Sequence, residues 1–158
     1  MELIRNGLSL ATKVDPERLH MTLGISEDFV EFPSSAANAM LAVGDAVAGE
    51  PQKIALDCLA GSDASVALRP ARSPRGLRLM QKGIGDRLFR RGLARSGWQF
   101  NPHVTLGYRQ GLPFRTRVEP IEWKACDFVL VHSVVGKTIH RELARWPLVP
   151  RQYSLPFV

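Results

Sequence analysis

The chain has little cysteine and no long apolar run, and each shortage removes a class of protein. Cys58 and Cys126 are the only cysteines in 158 residues. They are too few and too far apart for a disulfide framework or a zinc-ligand pattern. Both stand in apolar, strand-like runs, so both are expected as buried free thiols. No apolar stretch nears the roughly 20 residues that cross a bilayer. The start, Met1-Glu2-Leu3-Ile4-Arg5-Asn6-Gly7, has no apolar core of a secretory signal. A cytoplasmic protein with no membrane attachment is expected.

Familiar catalytic strings are missing too. There is no Gly-x-Ser-x-Gly, His-Glu-x-x-His or Cys-x-x-Cys, which removes the usual signals for serine hydrolases, zinc proteases and dithiol chemistry. Gly136-Lys137-Thr138 ends like a phosphate-binding loop, but the glycine required five residues before Gly136 is Val131. Gly83-Ile84-Gly85-Asp86-Arg87-Leu88 lacks the third glycine of a dinucleotide fingerprint and falls inside a basic helix. No metal and no cofactor is expected.

Apolar residues make up 45% and charged residues 23%, the profile of an ordinary single domain, here residues 1–158. The net charge of +6 and pI near 9.9 favour polyanionic partners, of which nucleic acid is the commonest.

Two strings stand out against this background: His20-Met21-Thr22-Leu23 and His103-Val104-Thr105-Leu106. Each is His-x-Thr-Leu in strand-like surroundings. In a strand, residues two apart share a face. His and Thr of each copy therefore project together, with Met21, Leu23, Val104 and Leu106 turned to the core. With 4 His, 5 Thr and 19 Leu in the chain, such a duplication arises by chance about once in ten thousand.

Around the tetrads the pattern reads as follows. Residues 1–8 end a helix, a loop follows, and Leu19 to Ile25 is the first strand. Ser34-Ser35 offer N-cap hydroxyls to a helix that runs to Ala48, with apolar positions at Ala36, Met40, Val43 and Val47. Lys53 to Leu59 and Ser65 to Arg69 are strands, and 70–76 is a loop. Gly76 to Ser96 is a second amphipathic helix with Leu77, Met80, Ile84 and Leu88 as its stripe. Its bases (Arg78, Lys82, Arg87, Arg90, Arg91, Arg95) form a solvated face. Strands follow at His103 to Tyr108, Arg117 to Trp123, Asp127 to Val135 and Ile139 to Trp146. Residues 147–158 are a tail. Strands close in sequence favour antiparallel pairing and an α+β fold. The 83-residue spacing of the tetrads suits two similar lobes, each giving one His-x-Thr strand.

A histidine titrates near pH 6.5, so a facing pair holds one proton donor and one acceptor at neutral pH. In-line phosphodiester chemistry needs that pair: one imidazole takes a proton from the attacking oxygen, the other gives one to the leaving oxygen. A threonine hydroxyl beside each histidine can hold the non-bridging oxygens. His132 and His140 lack the pattern and are expected as structural residues, with a place near the cleft as an alternative for His132.

The twin tetrads resemble the signature of the two-histidine (2H) phosphoesterase superfamily, in particular its LigT-like branch of 2′-5′ RNA ligases and RNA 2′,3′-cyclic phosphodiesterases. Pro16-Glu17-Arg18-Leu19, Phe100-Asn101-Pro102 and the run from Phe128 to Leu148 extend the likeness over residues 13–148. The resemblance implies a bilobal α+β fold: two mostly antiparallel sheets with pseudo-two-fold symmetry, flanked by helices, and a central cleft between the tetrads. It implies opening of a ribose 2′,3′-cyclic phosphate to a 2′-phosphate, or ATP-free 2′-5′ joining of RNA ends. His103 would activate water and His20 protonate the leaving 3′ oxygen. Thr22 and Thr105 would hold phosphate, with Arg109 as a further phosphate ligand. RNA ends or nucleoside 2′,3′-cyclic phosphates are then the partners of a monomer. The alternative is a nucleotide-binding module that keeps the cleft without turnover.

Members of that family place a strand and a long helix before the first tetrad, whereas 19 residues precede His20 here. Either the start is a late methionine or the lobe is reduced, and a sheet without its first strand is expected to expose an edge. The cover is expected from the 147–158 tail rather than from a second chain or solvent, since Tyr153, Leu155 and Phe157 alternate with Ser154 and Pro156.

Overall fold

Apolar runs in the middle of the chain build the larger of two sheets in the computed structural model, which describes residues 10–134, 136–137 and 139–150. The elements are β1 (Thr12–Lys13), a 3-10 turn (Pro16–Arg18), α1 (Ser34–Asp45), β2 (Gln52–Gly61), β3 (Ser65–Arg69), α2 (Arg75–Arg90), β4 (Val104–Tyr108), β5 (Phe114–Ala125), β6 (Asp127–Val134) and β7 (Ile139–Pro147). One sheet has five strands in the order β1-β4-β3-β2-β5, and β6 pairs with β7 in a second. Every pairing is antiparallel. This is the α+β architecture with two antiparallel sheets that the sequence implied. The sheets are unequal among the described residues, five strands against two.

The helical stripe of α2 behaves as its spacing dictates. Leu77, Met80, Ile84 and Leu88 are all buried and meet Leu56, Leu68, Val104 and Leu106 of the large sheet. Each such side chain contributes about 1.5–3 kcal/mol by leaving water. The helix stops at Arg90 rather than near Ser96, and the reason is Gly92. At a φ of 65° it adopts the left-handed conformation that glycine tolerates. The Gly92 N–H then turns back to the Phe89 carbonyl and the Leu93 N–H to the Leu88 carbonyl, both at 2.9 Å. That two-bond arrangement is a common helix terminator.

Helix α1 also differs at its ends. Ser34 and Ser35 lie inside the first turn, and Pro33 is the capping position with no side-chain bond. Its carbonyl accepts the Ala37 N–H at 2.8 Å. The helix ends at Asp45, short of Ala48.

The largest departure concerns Leu19 to Ile25, which is not a strand. Only Met21 pairs, through an isolated antiparallel bridge to Val104. Strand pairing is set by what lies across, and the open edge of β4 is already shared. Residues before the 3-10 turn take its C-terminal half, with Ala11 N–H on the Tyr108 carbonyl and Val14 N–H on the Leu106 carbonyl, both 2.9 Å. This leaves Met21 the N-terminal half.

Cys58 is buried as expected, whereas Cys126 is exposed. Cys126 occupies the single-residue joint between β5 and β6, where the chain passes from one sheet to the other. Leu148 is buried and donates its N–H to the Cys126 carbonyl at 2.7 Å. The helix end expected at 1–8 and the tail strand from Tyr153 onward lie outside the described residues.

The second sheet is fastened to α1 by Trp146. Its ring stacks on Phe128 with centroids 5.2 Å apart, and its Nε1 donates to Asp45 Oδ1 at 2.7 Å. Gly44 makes room for it: a Cβ there would stand 2.2 Å from the indole.

Candidate active site

The bridge between Met21 and Val104 brings the two tetrads side by side. Its antiparallel register sets His20 across from Thr105 and Thr22 across from His103. Val104 and Leu106 are buried against the helices. His103 and Thr105 alternate with them and so project from the helix-free face of the sheet. His20 and Thr22 flank the bridged Met21 on the segment next to His103 and Thr105.

Both histidines are held by the same local bond. His20 donates from Nδ1 to the Arg18 carbonyl at 2.6 Å, and His103 from Nδ1 to the Asn101 carbonyl at 2.7 Å. A carbonyl oxygen only accepts, so Nδ1 carries the proton in each ring and Nε2 is the nitrogen left for chemistry. In each copy the acceptor lies two residues upstream. The loop under His103 is fixed further by Arg69, which donates to Asn101 Oδ1 at 2.6 Å.

Two residues near the pair carry no motif. The ring of His140, from β7, stands edge-on to His20 with centroids 5.4 Å apart. Arg18 reaches the same ring, Nη2 to Nε2 at 3.5 Å. Burial, with Arg18 and His20 beside it, holds the His140 pKa below the ordinary histidine value. Burial and the neighbouring charges thus favour the neutral form of His140. Sequence alone sets His132 nearer the cleft and His140 away from the chemistry. The structure reverses them: His132 packs against Phe32, centroids 4.9 Å apart. No local signal separates the two, because His140 meets a partner 120 residues away in sequence.

Arg109 does not join the group. It follows Tyr108 at the far end of β4, six residues beyond His103 and roughly 20 Å away along an extended strand. Its guanidinium lies over Phe114, 5.1 Å from the ring centroid, and Nη2 donates to the Leu112 carbonyl at 3.1 Å. Arg95 also departs from its expected place on a solvated helix face. It lies beyond α2 and donates from Nε to the Ser26 carbonyl at 2.8 Å, with an ion pair to Asp28. It thereby ties down the segment that follows the first tetrad. No group of three or more His, Cys, Asp or Glu converges among the described residues.

This arrangement supplies two imidazole Nε2 atoms and two hydroxyls from two adjacent segments, the set required to move a proton on either side of a phosphorus centre.

No family model matches the chain, and no curated protein sequence does. Solved structures do match. E. coli LigT complexed with 3′-AMP superposes with a TM-score of 0.71 at 23% identity, over 87% of this chain and 81% of that one. Apo E. coli LigT gives 0.71 at 22% identity over 94% and 88%. TT0787 of Thermus thermophilus gives 0.66 at 21% identity over 94% and 93%. The chain has the LigT-like fold.

Proposed function

We propose that this protein is a 2H phosphoesterase that opens RNA 2′,3′-cyclic phosphates to 2′-phosphates without a metal ion. The observation that carries the reading is the shared Nδ1-to-carbonyl bond of His20 and His103, with the tetrads joined through Met21 and Val104. It accounts for the duplication of His-x-Thr: the two copies supply one proton acceptor and one proton donor to a single substrate. Likeness in fold to LigT structures, one of them complexed with 3′-AMP, supports a nucleotide-sized ligand.

In this mechanism His103 Nε2 takes a proton from water as it attacks phosphorus. His20, protonated on Nε2, gives its proton to the departing 3′ oxygen. Thr22 and Thr105 hold the non-bridging oxygens, where charge rests during transfer. With a 5′-hydroxyl RNA end in place of water, the same proton transfers join ends through a 2′-5′ linkage. Cytoplasmic RNA ends are the proposed substrates, and a monomer the working unit. Incubation with a nucleoside 2′,3′-cyclic phosphate in EDTA tests the reading. Release of the 2′-phosphate is expected; binding without turnover would make the protein a nucleotide-binding module instead.

A further inference from the structure

The register of the large sheet carries the tetrad face well beyond the histidines. Thr105 pairs with Ala67, Ala67 with Ala60, and Ala60 with Arg115. The next row runs from Arg69 through Cys58 to Arg117, and His103 directly precedes Val104, the last β4 residue paired to β3. Residues paired across a ladder share a face, so Arg115 and Arg117 of β5 lie on the same helix-free surface as His103 and Thr105. A bond across that surface agrees: Arg115 Nε lies 3.1 Å from Cys58 Sγ. Three strand spacings of about 4.8 Å place the arginines roughly 14 Å from β4.

Only two alanines, Ala67 and Ala60, stand between Thr105 and Arg115. No tall side chain of that row crosses the path. The Arg117 side chain is 84% exposed. Among the described residues its one acidic contact is Asp57 at 3.7 Å, a carboxylate whose other oxygen accepts the Ala71 N–H at 2.6 Å. Two guanidinium groups on one face, Arg115 with its Nε on Cys58 and Arg117 open to solvent, in line with a site for phosphate, fit the successive phosphates of a polynucleotide better than one small anion.

We infer that β5 supplies a phosphate track, Arg115 and Arg117, that receives the body of a single-stranded RNA whose cyclic end lies at the histidines. The inference rests on the phosphodiesterase reading for which end lies where. It sets the substrate class as an oligonucleotide rather than a mononucleotide. It also gives the basic charge of the chain a location.

The test compares wild type, the double variant Arg115→Gln/Arg117→Gln and a control, Arg90→Gln/Arg91→Gln, at the end of α2 on the helix side of the sheet. Binding of a labelled oligoribonucleotide is followed by anisotropy across a salt series, with turnover of a nucleoside 2′,3′-cyclic phosphate measured in parallel. Each phosphate contact in a single strand adds about 0.7 to the slope of log affinity against log salt. The β5 variant is expected to bind more weakly, with a slope lower by about 1.4 for its two contacts. Its turnover of the mononucleotide should be unchanged, and the control should match wild type. Equal loss in both double variants, or loss in the control alone, overturns the track. If wild type turns over no cyclic phosphate, the phosphodiesterase reading falls while the binding comparison still decides the track. Should the double variant unfold, Arg117→Gln alone keeps the test open, since that side chain packs on little.

Discussion

The ring of His140 stands edge-on to that of His20, 5.4 Å away, so a third imidazole borders the proposed acid–base pair. Its pKa is lowered by burial first, then by Arg18 and His20. A histidine depressed in the folded state binds fewer protons there than in the unfolded chain. Stability from this residue is complete above the ordinary value of 6.5. It is lost as pH falls from there through the lowered folded value. Thermal melts from neutral to mildly acidic pH should show a drop in Tm that shrinks in His140→Gln. An equal drop in both proteins would remove His140 as its source.

His20→Ala and His103→Ala should each lower kcat by about 10²–10⁴-fold, because each removes one proton-transfer partner. The melting temperature of His20→Ala should barely change, since that ring is exposed. A variant that keeps the wild-type rate takes its histidine out of the mechanism.

Thr22→Val and Thr105→Val should cost about 10–10³-fold, below or near the loss seen when one oxyanion donor is removed elsewhere. They remove a hydroxyl and leave proton transfer intact. Losses matching those of the histidine variants at both sites would put phosphate positioning ahead of acid–base work.

One imidazole must be neutral and the other charged, so kcat/KM should follow a bell in pH and survive chelation. The apparent pKa values belong to the pair. A rate abolished by EDTA and restored by a divalent cation would require a different chemistry.

Gly44→Ala should lower Tm by several degrees. The new Cβ would stand 2.2 Å from Trp146, forcing the indole off Asp45 and Phe128. Overpacking of this kind costs about 1–3 kcal/mol, more than the roughly 0.5–1 kcal/mol that alanine returns to a helix interior. A variant melting with wild type would show that the β6–β7 hairpin is not fastened through Trp146.

Where structure follows from a residue's own neighbours in sequence, it is legible there. The stripe Leu77, Met80, Ile84 and Leu88 names the buried face of α2, and Ser65 to Arg69 reads directly as a strand. The two His-x-Thr strings stand out in the sequence, and the Met21–Val104 bridge brings them side by side. What fails depends on remote partners. Leu19 to Ile25 has the composition of a strand, but the β4 edge it needs is already shared with residues 11–14. Cys126 has apolar neighbours yet sits in a joint between sheets. His140 lies against His20 and Arg109 over Phe114 for the same reason: position in space is not read from distance to the motif in sequence. Gly92 is the exception, a local helix stop that the apolar spacing beyond it conceals.

The uneven anchorage of the tetrads has a consequence for how this protein would fail. His103 runs directly into β4, which is paired on one side to β3 and on the other to β1. His20 stands on a segment with one bridge and the Arg95 tie. Backbone amides open locally with free energies that scale with such support. Deuterium should therefore enter around Met21 long before it enters β4. On warming, the strap that carries one histidine would lift while the sheet that carries the other stays closed. The chemistry would be lost at a temperature where the fold still stands.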